Sequence, residues 1–334
     1  MATMKDVAKA AGVSIATVSA VLSGAAFVSP ALKDKVEKAV VKLGYARNAM
    51  ARGLKRGQST LLGLVVPDIT NPFFTSFVDE VQKCAEASGY SMLLSVSGNS
   101  AARESELCDL MRSHQVAGTI LCPTGDAENC AAIAARVGSM PLVIADNAPT
   151  GLSVDTIVMD NARAAQLAAE HILANGHRLV AVMSGPAHQY VSRVRHESFL
   201  ATLGDANIAV APQYISRGEF REAEAYAAAL NLLSSNPRPT AIFVANNLML
   251  IGAMRAIAEL NLKVPQQLLV VSIDDFAWAA AFHPALSVIR QPIADMAQSA
   301  HDCLMRRIKG SGEQAFQRVV HQPTLVVRDS CQPP

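Results

Sequence analysis

Asp6-Val7-Ala8-Lys9-Ala10-Ala11-Gly12-Val13-Ser14-Ile15-Ala16-Thr17-Val18-Ser19 holds two short helical patterns separated by one glycine. Val7, Ala8 and Ala11 recur at the spacing of a helix face, and Thr3 just ahead is a good N-cap. Gly12 supplies a sharp turn, since glycine reaches left-handed backbone angles with no Cβ penalty. Ser14 then caps a second helix whose buried face carries Val18 and Val21. A third helix opens at Ser29-Pro30 and runs to about Leu43, with Val36, Ala39, Val40 and Leu43 as its stripe and Gly44 at its end. Two helices joined by a tight glycine turn form a helix-turn-helix, whose second helix lies in a DNA major groove.

Charge points the same way. Up to Arg56 there are ten Lys or Arg against three acids, Asp6, Asp34 and Glu37, a net +7. The rest of the chain has nineteen bases against twenty-five acids, a net −6, so the overall +1 conceals a basic head on an acidic body. Phosphate binding by one end predicts that asymmetry. The plainer alternative is a solvated three-helix domain with no role on DNA.

The Asp6–Ser19 string resembles the signature of the LacI/GalR family of bacterial transcription regulators, and the similarity continues over nearly the whole chain. The resemblance implies a headpiece over 1–47, a hinge helix and linker over 48–58, and an effector-binding and dimerisation body over 59–330. It divides the body into one lobe of about 59–160 and 291–322 and another of about 161–290 and 323–330. The chain would cross between them near Asp160, Arg290 and Gln322.

From the residues alone, Asn48 to Arg56 has helix formers but is too short for a stable isolated helix, and Gly53 weakens it further. It reads as a linker; the resemblance makes it a hinge helix that folds when two copies pair over the minor groove. The positions the family turns to DNA fall here on Thr3, Ser14, Ile15, Ala16, Thr17, Ser19, Ala20, Ser23, Leu54 and Lys55. Ile15, Ala16 and Ala20 match base-reading positions, and Leu54 matches the leucine wedged into a minor-groove base step. Ala20 departs from the arginine or other polar residue common there, and Ser23 replaces an asparagine.

After Ser59 short apolar strands alternate with helices of ten to fifteen residues, the mark of βαβ units and parallel sheets. Strands are expected at Leu61–Val66, Ser91–Ser95, Gly118–Leu121, Leu142–Asp146 and Thr156–Met159. A second series falls at Val180–Ser184, Tyr214–Ile215, Ala241–Ala245 and Leu268–Ile273, with late strands at Val319–Gln322 and Thr324–Arg328. Alternation fits either one large doubly wound domain or two lobes; the resemblance favours two Rossmann-like parallel-sheet lobes of the periplasmic-binding-protein type behind an all-α helix-turn-helix head.

The chain reads poorly as an enzyme. It has no Gly-x-Gly-x-x-Gly after a strand, no phosphate loop and no Gly-x-Ser-x-Gly elbow. Its eight histidines and six scattered cysteines form no zinc-ligand spacing, so no metal and no cofactor are expected, and buried free thiols are the better reading. A charged N-terminus without an apolar core is no signal peptide, and no apolar run approaches membrane length, so a cytoplasmic protein is expected.

Polar and aromatic residues do gather where strands end, at Asn71-Pro72-Phe73-Phe74, Asp146, Gly185-Pro186, Asn246-Asn247 and Asp274-Asp275-Phe276. Ligands of parallel sheets bind there, and acids, amides, arginine and flat rings suit a polyhydroxylated ligand or a heterocycle. Each residue alone could equally be a helix cap or loop polar group. By resemblance the effector positions are Phe73, Phe74, Asp146, Arg195, Phe220, Asn246, Asp274 and Gln291, and Arg193 is a further candidate positive charge two residues from Arg195. Ser198 stands where a glycine is usual, and Asn247 where an aspartate is common.

The chain is thus expected to be a homodimeric DNA-binding regulator, a repressor on an approximately palindromic operator, controlled by a small molecule bound between its lobes. A sugar or sugar acid is preferred over a purine or nucleoside. The lack of a terminal leucine heptad argues for a dimer over a tetramer. A binding protein without a DNA role, whose cleft would look alike, fits neither the basic head nor the missing signal peptide.

Overall fold

The computed structural model describes residues 2–23, 28–45, 59–310 and 315–331. It divides into a head, Met1–Ser59, and a body, Thr60–Pro334. The expected hinge over 48–58 falls outside the described residues.

In the head, α1 (Met4–Ala11) starts at Thr3, which forms a capping box with Asp6, and stops at Gly12, whose φ of 64° is left-handed. Helix α2 (Ile15–Ser23) begins where the Thr17 amide donates to Ser14 Oγ at 3.0 Å. Helix α3 (Pro30–Leu43) has the first-turn proline and closes on Gly44 at φ 57°, although the Ser29 hydroxyl makes no capping bond. Val7, Val18 and Val36, one from each helix, are fully buried and pack with Ala8 and Ala39; Val21, Val40 and Leu43 lie partly buried around them.

The body holds two six-stranded sheets. The first contains β1 (Leu61–Val66), β2 (Ser91–Val96), β3 (Gly118–Leu121), β4 (Leu142–Ala145), β5 (Asp155–Met159) and β11 (Arg318–His321), in the order β11-β5-β4-β3-β1-β2 and all parallel. The second contains β6 (Val180–Ser184), β7 (Ile215–Arg217), β8 (Ala241–Val244), β9 (Leu269–Ile273), β10 (Ser287–Arg290) and β12 (Thr324–Val326), in the order β12-β10-β9-β8-β6-β7. Only β12 runs antiparallel, against β10. Parallel strands need crossovers, and helices α4 (Pro72–Ala87), α5 (Ala101–Ser113) and α6 (Ala127–Val137) supply them in the first sheet. In the second, α8 (Tyr190–Asp205), α9 (Glu222–Leu233) and α10 (Asn247–Glu259) do the same. Helices on both faces explain why the central strands are buried apolar runs rather than alternating ones.

The chain leaves the first sheet after Met159 into α7 (Asn161–Ala174), returns after Arg290 through α11 (Ile293–Ile308), and crosses again between His321 and Thr324. Each sheet reverses its strand order once, beside β1 in the first and beside β6 in the second. The loops past the carboxyl ends of those strands are where such sheets take ligands.

Strand boundaries differ from expectation where pairing outweighs local pattern. Pro212 starts a 3₁₀ turn that takes up Tyr214, so β7 begins at Ile215. Strand β10 is absent from the sequence-based set; its four residues are too few to show a period, and it is held by β9 on one side and β12 on the other.

Candidate functional site

Two regions gather the expected residues. On the head, Ile15, Ala16 and Ser19 are exposed while Val18 is fully buried, so α2 turns one face outward. Ile15 is 44% exposed, high for a large apolar side chain with no fold role. Ser14 and Thr17 hydroxyls lie 2.9 Å apart at the start of α2, with Ala20 half-buried further along. The Thr3 hydroxyl donates to Asp6 Oδ2 at 2.7 Å, which commits it to the helix cap. Lys5 and Lys9 stand exposed on α1. The Ser23 side chain, Leu54 and Lys55 lie outside the described residues.

In the body, a cavity of about 550 Å³, its open mouth included, lies where loops from the carboxyl ends of both sheets meet. Phe73, Phe74, Asp146, Arg195, Phe220, Asn246, Asp274 and Gln291 all line it. Helix α4 delivers the two phenyl rings: Asn71 Oδ1 caps it through the Phe73 amide at 2.9 Å, and the rings sit edge-on to one another with centroids 5.0 Å apart. Helix α8 delivers Arg195. Its Nε donates to Asn161 Oδ1 at 2.7 Å and Nη1 to the Ala245 carbonyl at 2.8 Å, which leaves Nη2 for the cavity. Asn246 Oδ1 is spent capping α10 through the Met249 amide, so its amide nitrogen remains as a donor.

Asp146 and Asp274 directly follow β4 and β9, and both have left-handed backbones, φ 65° and 78°. Asn99 and Phe220 do too, so four of the eight described non-glycine residues with positive φ line this cavity. Such strain costs about 1–3 kcal/mol per residue and gathers at functional sites. Burial pushes the Asp146 carboxyl up to about 7; Arg195 pulls it down and Asp274 raises it further. Burial also raises Asp274, against the pull of Arg195 and the hydrogen bond from Gln291. Two carboxyl groups therefore share a single guanidinium.

Arg193 is placed elsewhere. It is exposed and lies over the Tyr190 ring, 5.8 Å from its centroid, outside the cavity lining. Two helix positions at i and i+2 face different ways, and only Arg195 turns inward. The cavity also uses residues absent from the expected set: Asp68 after β1, Asn99 after β2, Thr124 after β3, and Gln189 with Leu248 at the starts of α8 and α10. The rule of strand carboxyl ends applied to every strand would have reached the first three. Thr124 is set by Glu104, a buried acid that accepts from its amide at 2.8 Å and its hydroxyl at 2.7 Å.

Two hydrogen bonds bridge the sheets beside the cavity. Asn247 Nδ2 donates to Asn71 Oδ1 at 2.9 Å, and the Val191 amide donates to Asn147 Oδ1 at 3.2 Å. An aspartate at 247 could not make the first, which gives the unexpected asparagine a role. Among the described residues no group of three or more His, Cys, Asp or Glu could hold a metal ion. None of the helices there is long and apolar enough to cross a membrane.

The geometry has counterparts in known proteins. Residues 3–48 match the model for bacterial regulatory proteins of the lacI family, and residues 169–331 match a periplasmic binding protein-like domain. The ribose operon repressor of Haemophilus influenzae is 33% identical over 99% of this chain and 98% of its own length. The transcriptional repressor PurR of Vibrio vulnificus is 32% identical with the same coverage. A lac repressor dimer bound to operator and an anti-inducer superposes with a TM-score of 0.89 at 27% identity over 99% of both chains.

Proposed function

Since the chain belongs to the lacI family of bacterial regulatory proteins and is a DNA-binding transcriptional repressor under effector control, we propose that its effector is a neutral monosaccharide held in the body's cavity. Like its relatives it is not an enzyme, and it works as a dimer on operator DNA. The proposal extends to the place of work, the cytoplasm, and to the DNA-facing set on α2 together with Leu54 and Lys55.

One observation carries the choice of effector. Asp146 and Asp274 already outnumber the one guanidinium facing them. An anionic sugar acid or nucleotide would add like charge to a desolvated site whose cation is engaged, and burying charge without a partner is costly. A neutral sugar instead brings several hydroxyl donors to the two carboxyl groups, acceptors for the Asn246 amide and Arg195 Nη2, and C–H faces for Phe73, Phe74 and Phe220. A purine base is also neutral, and the PurR relative makes it the second reading, but it offers fewer donors to the pair of acids.

Calorimetric titration of the full-length protein with D-ribose, gluconate and hypoxanthine tests the proposal. Heat of binding with ribose or another neutral sugar and none with gluconate is the expected result. Gluconate binding, or hypoxanthine binding with no sugar binding, would reject it.

A further inference from the structure

We propose that Asn161, which does not line the cavity, is the positioning residue for Arg195 and ties that arginine to the first crossing between the sheets; the inference rests on the reading of Arg195 as an effector contact. Asn161 is the first residue of α7, directly after the chain leaves β5. It is buried, and both ends of its amide are used. Oδ1 accepts from Arg195 Nε at 2.7 Å, and Nδ2 donates to the carbonyl of Met159, the last residue of β5, at 3.1 Å. The amide therefore clamps the arginine of the second sheet's helix α8 to the strand end of the first sheet. The neighbouring Asp160 amide donates to the His321 carbonyl at 2.8 Å, so the third crossing is fastened at the same place.

A guanidinium held at Nε and Nη1 has one orientation, and the remaining nitrogen is aimed by the other two. Removing the Asn161 acceptor leaves Nε–H buried without its partner, and the side chain can then swing to bond elsewhere. Any rotation of one sheet against the other would turn about the crossings, so a change at Met159–Asn161 would move the arginine, and a ligand that pins the arginine would resist that change. This makes Asn161 a residue that couples the site to the lobes without touching the ligand.

The test uses full-length protein with D-ribose as probe and three chains: wild type, Asn161→Ala and Asn161→Asp. Aspartate keeps the acceptor for Arg195 Nε and is favourable at a helix N-terminus but loses the donor to the Met159 carbonyl, so it separates the positioning of the arginine from the tie to β5. Ribose affinity should fall roughly ten- to hundredfold in Asn161→Ala and stay near wild type in Asn161→Asp, with operator binding in the absence of sugar unchanged. A second readout needs no ligand: the Arg195 Nε–H proton, assigned with Arg195→Lys, should exchange slowly with water in wild type and Asn161→Asp and rapidly in Asn161→Ala. Equal ribose affinity in all three chains, or equal loss in both variants, overturns the proposal. If wild type binds no ribose, the choice of effector fails and the exchange measurement alone decides; equal exchange in all three chains then overturns the role of Asn161.

Discussion

Gly185 follows β6 and lies close against the Phe220 ring. A Cβ added there would come within 2.6 Å of Phe220 Cδ1 and closer still to Cε1 and Cζ. Ordinary carbon contacts are about 3.5–4.0 Å, so the ring must move by roughly 1 Å or more. Its backbone is already fixed at a left-handed φ of 56°, and the Gly185 carbonyl is held by Arg217 Nη1 at 2.8 Å, so the side chain is the part free to yield. Phe220 is only half-buried and lines the cavity, so the ring has room to move on that side. Gly185→Ala should therefore leave a folded repressor whose sugar site is narrowed. Overpacking of this kind costs about 1–3 kcal/mol, and if the sugar bears it the affinity falls by roughly 5- to 150-fold. Calorimetry with ribose gives the affinity, and a thermal melt separates it from lost stability. In a Phe220→Ala background the same substitution should add little, because the clash is gone. Unchanged affinity and melting temperature in Gly185→Ala, or the same loss with and without Phe220, would refute this packing.

Asp146 should make sugar binding depend on pH: hydroxyl donors favour the carboxylate, so affinity should rise as pH passes upward through about 7 and level off above it, and Asp146→Asn should abolish the rise. The same raised acid means the folded chain holds a proton that the unfolded chain has lost, between the ordinary value of 3.8 and about 7; sugar-free stability falls across that window as pH rises, and Asp146→Asn should melt higher than wild type at pH 7.5. Gly12→Ala meets no atom within 4 Å but forces a left-handed alanine, so the head should lose about 1 kcal/mol or more, seen as faster amide exchange at Val7 and Val18 with the body's melt unchanged. Because Ile15, Ala16 and Ala20 offer no side-chain hydrogen bond to base edges, Leu54→Ala should cost more preference for operator over random duplex than Ile15→Ala; the reverse order in competition gel shifts would place readout in the major groove.

Legibility followed the range of the forces involved. Strands Leu61–Val66, Gly118–Leu121 and Val180–Ser184 have the bounds read from the sequence, because turns and apolar runs set them locally. Strand Ser287–Arg290 could not be read because only Val288 and Ile289 of its four residues are apolar, flanked by Ser287 and Arg290, and pairing with β9 and β12 is what makes it a strand. In the cavity, Asp146, Arg195, Asn246 and Asp274 could be found from strand ends and the family's pattern. Asn161 could not be: its role comes from a bond to a residue thirty-four positions away. Nor could the sharing of one arginine by two acids, which exists only once β4 and β9 bring their ends to one place.

On the proposed function, Arg195 links a neutral sugar to DNA. The direct measurement is the affinity of the full-length dimer for a duplex it has selected from a random pool, by fluorescence anisotropy, with and without saturating D-ribose, in wild type and Arg195→Ala. The two wild-type affinities should differ at least tenfold, those of Arg195→Ala should coincide, and the sugar-free affinities of the two proteins should agree. An equal response to ribose in both proteins would contradict the account.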